Sequence, residues 1–213
     1  MSTKEKFKVY CDMDGVLCDY MPSVLARMNE FTKTIGENKN LYFTKYPVLY
    51  KAAKKAIIAQ GGNLDEGNIG SEILYEDVGK ETKKPHVRSL MYALVSNDYK
   101  FWANLAWTPD GKDLWNHIKK YNPTVLSGPQ GPNSKFGKIE WCKRELGLGK
   151  DRIILTHTKH EEIRNVQKEG RTAILIDDMP KYVVPWQNAG GIAVFHKSAK
   201  QSIEEFESLI TSL

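Results

Sequence analysis

Apolar positions along the chain fall into two kinds of run. Short β-rich stretches, apolar nearly throughout, recur at Phe7 to Cys11, Pro123 to Ser127, Arg152 to Thr156, Thr172 to Ile176 and Gly191 to Phe195. Such runs have the length and composition of strands buried on both faces. Other segments repeat apolar residues at three-and-four spacing, the mark of an amphipathic helix. Tyr20 to Thr34 carries Met21, Val24, Leu25, Met28 and Phe31, with Gly36 as its stop. Thr108 to Tyr121 carries Leu114, Trp115 and Ile118; Asn133 to Leu146 stops at Gly147; Lys200 to Leu213 is a last helix. Strands alternating with helices predict parallel βαβ units. The fold class is therefore α/β, a Rossmann-like doubly wound parallel sheet whose ligands sit outside the strands' carboxyl ends.

From Tyr20 to about Asn104 the alternation stops. Lys-rich amphipathic segments around Lys45 to Gln60 and His86 to Ser96 flank a turn-rich stretch, Gly61 to Gly70, and no strand pattern stands out. The expected organisation is a core of residues 1–19 and 105–213 with a mostly helical cap, residues 20–104, inserted after the first strand. No flexible linker sets the cap apart as an independent domain.

Composition sharpens this picture in a few places. A length of 213 residues, 41% hydrophobic and 27% charged, suits one globular domain with a modest insertion. The net charge of +5, spread without a long Lys/Arg block, suits an anionic ligand such as a phosphate ester. It is too dispersed to argue for nucleic acid by itself, which stays a less favoured partner. Three cysteines, Cys11, Cys18 and Cys142, lack Cys-x-x-Cys spacing, and their odd number fits free thiols in a reducing cytosol. The polar start of the chain has no apolar signal core, and no run reaches the ~18 to 20 apolar residues of a membrane span. The expectation is a cytoplasmic protein without a membrane partner. A homodimer is an open alternative.

Candidate chemistry centres on the first strand's end, Val9-Tyr10-Cys11-Asp12-Met13-Asp14-Gly15-Val16. In an extended strand Asp12 and Asp14 would point to opposite faces, so the chain must bend between them to present both to one substrate. Gly15 makes that bend cheap. Two carboxylates at a strand end can bind a hard cation such as Mg²⁺, or combine nucleophilic attack with acid/base help. A lone Asp-x-Asp-Gly reads equally well as a polar loop. Three further polar groups stand past strand ends, however: Ser127 with Gly128, the helix-borne Lys135 or Lys138, and Asp177 with Asp178. A parallel sheet gathers strand ends at one edge, so all four converge. Because a phosphate monoester is mostly a dianion, a carboxylate attacks it only once positive charge has offset the repulsion. Asp12 then serves as nucleophile, Asp14 as proton carrier, Asp177 and Asp178 as holders of Mg²⁺, and Lys138 and Ser127 as holders of phosphoryl oxygens.

The order Asp-x-Asp-Gly-Val, strand-Ser-Gly, Lys, Asp-Asp resembles the four motifs of the haloacid dehalogenase-like phosphohydrolases. Within them the chain is most similar to the 5′(3′)-deoxyribonucleotidase family. The matching segments are Asp12 to Tyr20, Phe101-Trp102-x-x-Leu105, Lys138-x-x-Trp141, Ile153 to Thr156 with Lys159, Leu175 to Asp178, and Trp186. They cover most of the core and little of the cap. The resemblance implies Mg²⁺-dependent removal of phosphate from deoxynucleoside monophosphates. It implies Asp12 as nucleophile, Asp14 as acid/base, Asp178 or Asp177 beside Asp12 and Asp14 as metal ligands, and Ser127, Gly128 and Lys138 as the phosphate site. Lys138 is preferred to Lys135 for its spacing to Trp141.

Tyr20 matches the position of a base-stacking aromatic. Phe101, Trp102 and His157 are further substrate-side candidates, while Tyr42, Phe43, Tyr46 and Tyr50 read first as cap interior. Two departures stand out. The family's Thr-Ser-Pro is here Ser127-Gly128-Pro129, and its Thr-Arg-Asp-Lys is Thr156-His157-Thr158-Lys159. Alternatives kept beside the main reading are a phosphatase of nucleic-acid ends or of another small ester, and a non-catalytic binding protein of the same fold.

Overall fold

The computed structural model describes residues 6–78 and 84–213; residues 1–5 and 79–83, which the expected core and cap also include, lie outside the described residues. Five strands, β1 (Phe7–Cys11), β2 (Thr124–Ser127), β3 (Ile153–Leu155), β4 (Thr172–Asp177) and β5 (Ile192–Phe195), form one sheet in the order β3-β2-β1-β4-β5. All four pairings are parallel. The doubly wound α/β fold expected from the alternation of runs is the fold observed.

β1 lies at the centre, with Cys11 in register with Val125 on one side and Ile176 on the other. That register matters for function, because it sets the residues after β1, β2 and β4 side by side. It continues one step past β1, where Asp12 N donates to Ile176 O at 2.9 Å.

The chain divides into two compact units, the first comprising Met1–Tyr20, Ala103–Pro129 and Lys138–Leu213. Its sheet is covered on both faces, which is why its strands are apolar throughout. On one face Tyr10, Leu126, Leu175 and Ala193 pack with Ile163 and Val166 of α9 (Glu162–Lys168) and Val183 and Trp186 of α10 (Pro180–Asn188). The Tyr10 and Trp186 rings meet edge to face at 5.3 Å. On the other, Phe7 packs against Tyr121 and Phe206, the latter on α11 (Ala199–Thr211), which lies beside α7 (Gly111–Ile118). Each fully buried large side chain contributes roughly 1.5 to 3 kcal/mol, so both layers hold the strand ends firmly. α11 starts where Ser198 Oγ accepts from Gln201 N, a side-chain cap.

The second unit comprises Met21–Trp102 and Gln130–Gly137. Its helices are most of α1 (Tyr20–Glu37), α2 (Lys39–Lys45), α3 (Pro47–Ala59), α4 (Tyr75–Val78), α5 (Pro85–Val95) and nearly all of α6 (Tyr99–Ala103). α3 and α5 form its main pair, burying Ala53, Ala56 and Ile57 with Val87, Leu90 and Met91. Asp77 ties together segments on either side of the turn-rich stretch, accepting from Gln60 Nε2 at 2.8 Å and Leu74 N at 2.9 Å and pairing with Lys84 at 2.8 Å. α1 ends at Glu37, one residue past Gly36, where the missing Cβ leaves room for the Ile69 side chain. Residues 130–137, expected in the core, fall in this unit, whereas Tyr20 and residues 103 and 104 fall in the first. They begin α8 (Pro132–Leu146), whose later residues, from Lys138 on, belong to the first unit.

Candidate active site

After β1 the chain turns back on itself. Gly15 N donates to Cys18 O at 2.8 Å and Leu17 N to Met13 O at 2.9 Å, a tight loop that Gly15 closes with φ of 80°. Only a residue without Cβ takes that φ at little cost. The bend carries Asp14 back toward the strand ends, so Asp12 and Asp14 reach one site despite the strand's alternation.

Two buried ammonium groups organise the carboxylates. Lys138, fully buried on α8, donates from Nζ to Asp14 Oδ2 at 2.5 Å, Ser127 Oγ at 2.9 Å and Gly128 O at 2.8 Å. An ammonium has three donors, so with these acceptors in place a phosphoryl oxygen would reach Lys138 by exchange. Lys159, just past β3 and 1% exposed, donates to Asp177 Oδ2 at 2.6 Å. The same Nζ stands 2.9 Å from Asp12 Oδ1, an ion-pair contact outside hydrogen-bond angles. Asp177 Oδ1 accepts from Met179 N at 2.9 Å, which fixes the turn after β4.

One oxygen each of Asp12, Asp177 and Asp178 lies within 4.8 Å of the others, a grouping able to hold a cation. Oδ1 of Asp14 and Asp178 are buried without a hydrogen-bond partner, and Oδ1 of Asp12 has the ion-pair contact with Lys159 in place of one. Unsatisfied buried carboxylate oxygens are costly, and hard oxygen donors are what Mg²⁺ takes. The charge count agrees: when Asp12, Asp14, Asp177 and Asp178 are all ionised they face two ammonium groups, a deficit that one divalent cation fills. The donor set therefore fits Mg²⁺. Asp14, expected among the metal ligands, is instead held by Lys138 and lies outside the three-carboxylate grouping.

Crowding shows in the proton affinities. Burial first, then the charge of Asp12, push Asp177 and Asp178 each up to about 7. Burial raises Asp14 as well, opposed by the charge of Lys138. For Lys159, burial would favour the neutral amine, but the charges of Asp12 and Asp177 outweigh it and hold the group above its ordinary value. Cys11, Cys18 and Cys142 are free and buried, and burial pushes all three thiols up, so none is poised as a nucleophile.

The first unit thus brings together Asp12, Asp14, Ser127, Gly128, Lys138, Asp177 and Asp178. His157, exposed after β3, stands at the margin, its Nδ1 3.5 Å from Tyr182 Oη. Tyr20 opens α1 and is 8% exposed, which leaves little ring face open. Phe101 and Trp102 belong to the second unit; Trp102 is fully buried there, donating from Nε1 to Val95 O at 2.7 Å, and Phe101 packs edge-on against it. That unit has a pocket of its own, ≈ 390 Å³, lined by Phe31, Tyr42, Tyr46 and Leu49 with Arg27 and Glu30. Sequence reasoning gave no role to two residues. Lys159 was legible, since it follows a strand end like its partners; Tyr182, four positions past Asp178, carried no signal before the fold was known.

A scan against family models and a search of curated proteins each return no match. Solved structures do match. A hydrolase from Streptococcus pneumoniae TIGR4 superposes with a TM-score of 0.51 at 12% identity, over 95% of this chain and 99% of that one. A haloacid dehalogenase-like hydrolase from Burkholderia xenovorans LB400 gives 0.50 at 13% identity, over 92% of this chain and 84% of that one. At such identities the likeness is one of fold. Among the described residues no helix is long and apolar enough to cross a membrane.

Proposed function

We propose that this protein is a Mg²⁺-dependent phosphatase that hydrolyses a phosphate monoester, a 5′- or 3′-deoxynucleoside monophosphate, through a phosphoryl-aspartate on Asp12. The observation that carries the chemistry is the pairing of Asp12 and Asp14 with two buried lysines and a three-carboxylate cation grouping at one strand edge. The substrate choice rests on the resemblance of Asp12 to Tyr20 and of Lys138-x-x-Trp141 to the deoxyribonucleotidases.

In this reading Asp12, Asp177 and Asp178 hold Mg²⁺, which supplies positive charge against the phosphate dianion. A carboxylate oxygen of Asp12 attacks phosphorus; the new O–P bond forms as the bond to the leaving alcohol breaks. Asp14, whose hold on a proton burial strengthens, gives a proton to the departing oxygen. The ionised Asp14 then takes a proton from the water that attacks phosphorus, releasing inorganic phosphate and free Asp12. Lys138 fixes Asp14 against Ser127 and the Gly128 carbonyl, so the acid stays aligned through both steps. Lys159 steadies Asp12 and Asp177.

The test is a panel of deoxynucleoside 5′- and 3′-monophosphates, sugar phosphates, an aryl phosphate and 3′-phosphorylated oligonucleotides, assayed with Mg²⁺ and with chelator. The expected result is Mg²⁺-dependent release of phosphate with the highest kcat/KM on a mononucleotide. A higher value on an oligonucleotide end would replace this substrate with nucleic-acid termini, and no turnover of any ester would leave a binding protein.

A further inference from the structure

The two places where the chain departs from the family motifs it resembles meet at one point. A Cβ built on Gly128 would lie 2.7 Å from Tyr182 Oη, inside the spacing that real side chains keep, and 3.3 Å from His157 Nδ1, a tight contact. Position 128 and the Tyr182 hydroxyl therefore compete for the same space, and glycine leaves it to the hydroxyl. The Tyr182 ring lies over Lys159, with Nζ 4.3 Å from its centroid. Its far end stands over the loop whose carbonyl is bound by Lys138. One ring thus reaches from Lys159 to the loop that carries Ser127 and Gly128, the residues expected to hold phosphoryl oxygens.

We infer that Tyr182 is a phosphate-binding residue of this site, its hydroxyl donating to a phosphoryl oxygen from the space that Gly128 leaves open. This rests on the phosphatase reading above. The hydroxyl is suited to donate: burial raises its proton affinity, so it stays protonated. His157 Nδ1, 3.5 Å away, serves as its partner from the solvent side; a ring carrying hydrogen on Nδ1 gives to Oη and leaves the phenolic hydrogen for the anion. The ring's own contact with Lys159 is a cation–π arrangement that Phe preserves, so hydroxyl and ring are separable by substitution.

The experiment measures inorganic phosphate binding to the full chain in Mg²⁺ by calorimetry, alongside KM and kcat on a phosphate ester. Tyr182→Phe and Gly128→Ala are compared singly and combined, with melting curves as a control of folding. Gly128 does not sit in the positive-φ region, so alanine there tests space and not backbone strain. A hydrogen bond to a charged group is worth about tenfold or more in affinity. Tyr182→Phe is expected to weaken phosphate binding about tenfold and to raise KM similarly, with kcat changed less than about threefold. Gly128→Ala, which displaces the hydroxyl, is expected to do the same, and the double variant to be no worse than either single one. Binding by Tyr182→Phe within about twofold of the parent would overturn the inference, as would losses that multiply to about a hundredfold. Failure of the parent itself to bind phosphate and turn over any ester would instead overturn the phosphatase reading and this inference with it.

Discussion

A Cβ on Gly15 would fall 2.9 Å from Cγ of Asp178, so the bend after β1 and the carboxylate after β4 occupy adjoining space. The glycine serves two purposes there: it adopts a φ of 80°, and it leaves room for a candidate cation ligand. Gly15→Ala is expected to weaken Mg²⁺ binding more than tenfold, because Asp178 must move, while the strain at positive φ costs about 1 kcal/mol of stability. Titrating Mg²⁺ against the melting temperature of both proteins measures this. Equal Mg²⁺ responses would show that Asp178 is not held in place by that contact.

The roles of the opening pair separate by leaving group. Asp12→Asn is expected to abolish turnover on every ester, because an amide cannot form the acyl phosphate. Asp14→Asn is expected to lose about 100-fold or more on a nucleotide and far less on an aryl phosphate, whose phenolate departs with little protonation. Substantial turnover by Asp12→Asn, or no trappable phosphoryl adduct on that residue, would leave an activated water as the nucleophile.

Cation binding should depend on pH with a definite sign. Asp177 and Asp178 are raised to about 7 from an ordinary 3.8, so their contribution to folding stability is complete below about 3.8 and is lost as pH rises toward 7. Mg²⁺ takes only the ionised forms, so it must displace those protons. The melting-temperature gain from Mg²⁺ is expected to be small at pH 5.5 and full by pH 8. It should correspond to about 2.7 kcal/mol when the ion stands 100-fold above its dissociation constant. His196, lowered by burial, acts in the opposite sense: its contribution is present above its ordinary 6.5 and lost as pH falls. Taking the difference with and without Mg²⁺ at each pH removes it. A pH-independent gain would show that these carboxylates are not the ligands.

Lys159 is a buried cation between two buried anions, and removing it leaves them uncompensated. Lys159→Met is expected to cost about 3 kcal/mol in chelator, with part of the loss recovered in millimolar Mg²⁺, which answers the same charges. Urea unfolding under both conditions measures it. A deficit indifferent to Mg²⁺ would mean that the lysine acts through packing alone.

The strands were legible in the sequence because each is buried on both faces and therefore apolar almost without interruption. Phe7 to Cys11 and Thr172 to Asp177 are the clearest cases. Asp12, Asp14, Ser127, Asp177 and Asp178 were legible as well, since a parallel sheet places residues that follow its strands at one edge. Lys138 needed a resemblance, because on a helix with another lysine three residues earlier nothing local marks which one is buried. Gly36 marked the end of α1 to within a residue, since the helix closes at Glu37. Trp102 shows a limit: an aromatic beside a motif reads alike whether its ring is open or enclosed, and only the carbonyl of Val95 settles it. The occupant of the space at Gly128 was not legible at all. An absent side chain says nothing about which residue fills the gap.

Placing β1 at the middle of the sheet has a consequence for how the protein is made. Its partner β2 begins at Thr124 and β4 at Thr172, so the strand that leads into Asp12 leaves the ribosome long before either neighbour exists. At roughly 5 to 20 residues per second the wait for β4 lasts about 8 to 33 seconds; an apolar strand has two open edges until β2 is made and one from then until β4 follows. Met13, Val16 and Leu17, all fully buried in the finished fold, would share that exposure. Asp177 and Asp178, the last of the site's carboxylates to be made, arrive with the strand that closes the second edge of β1, so a nascent chain gains its cation-binding grouping as that apolar edge is covered.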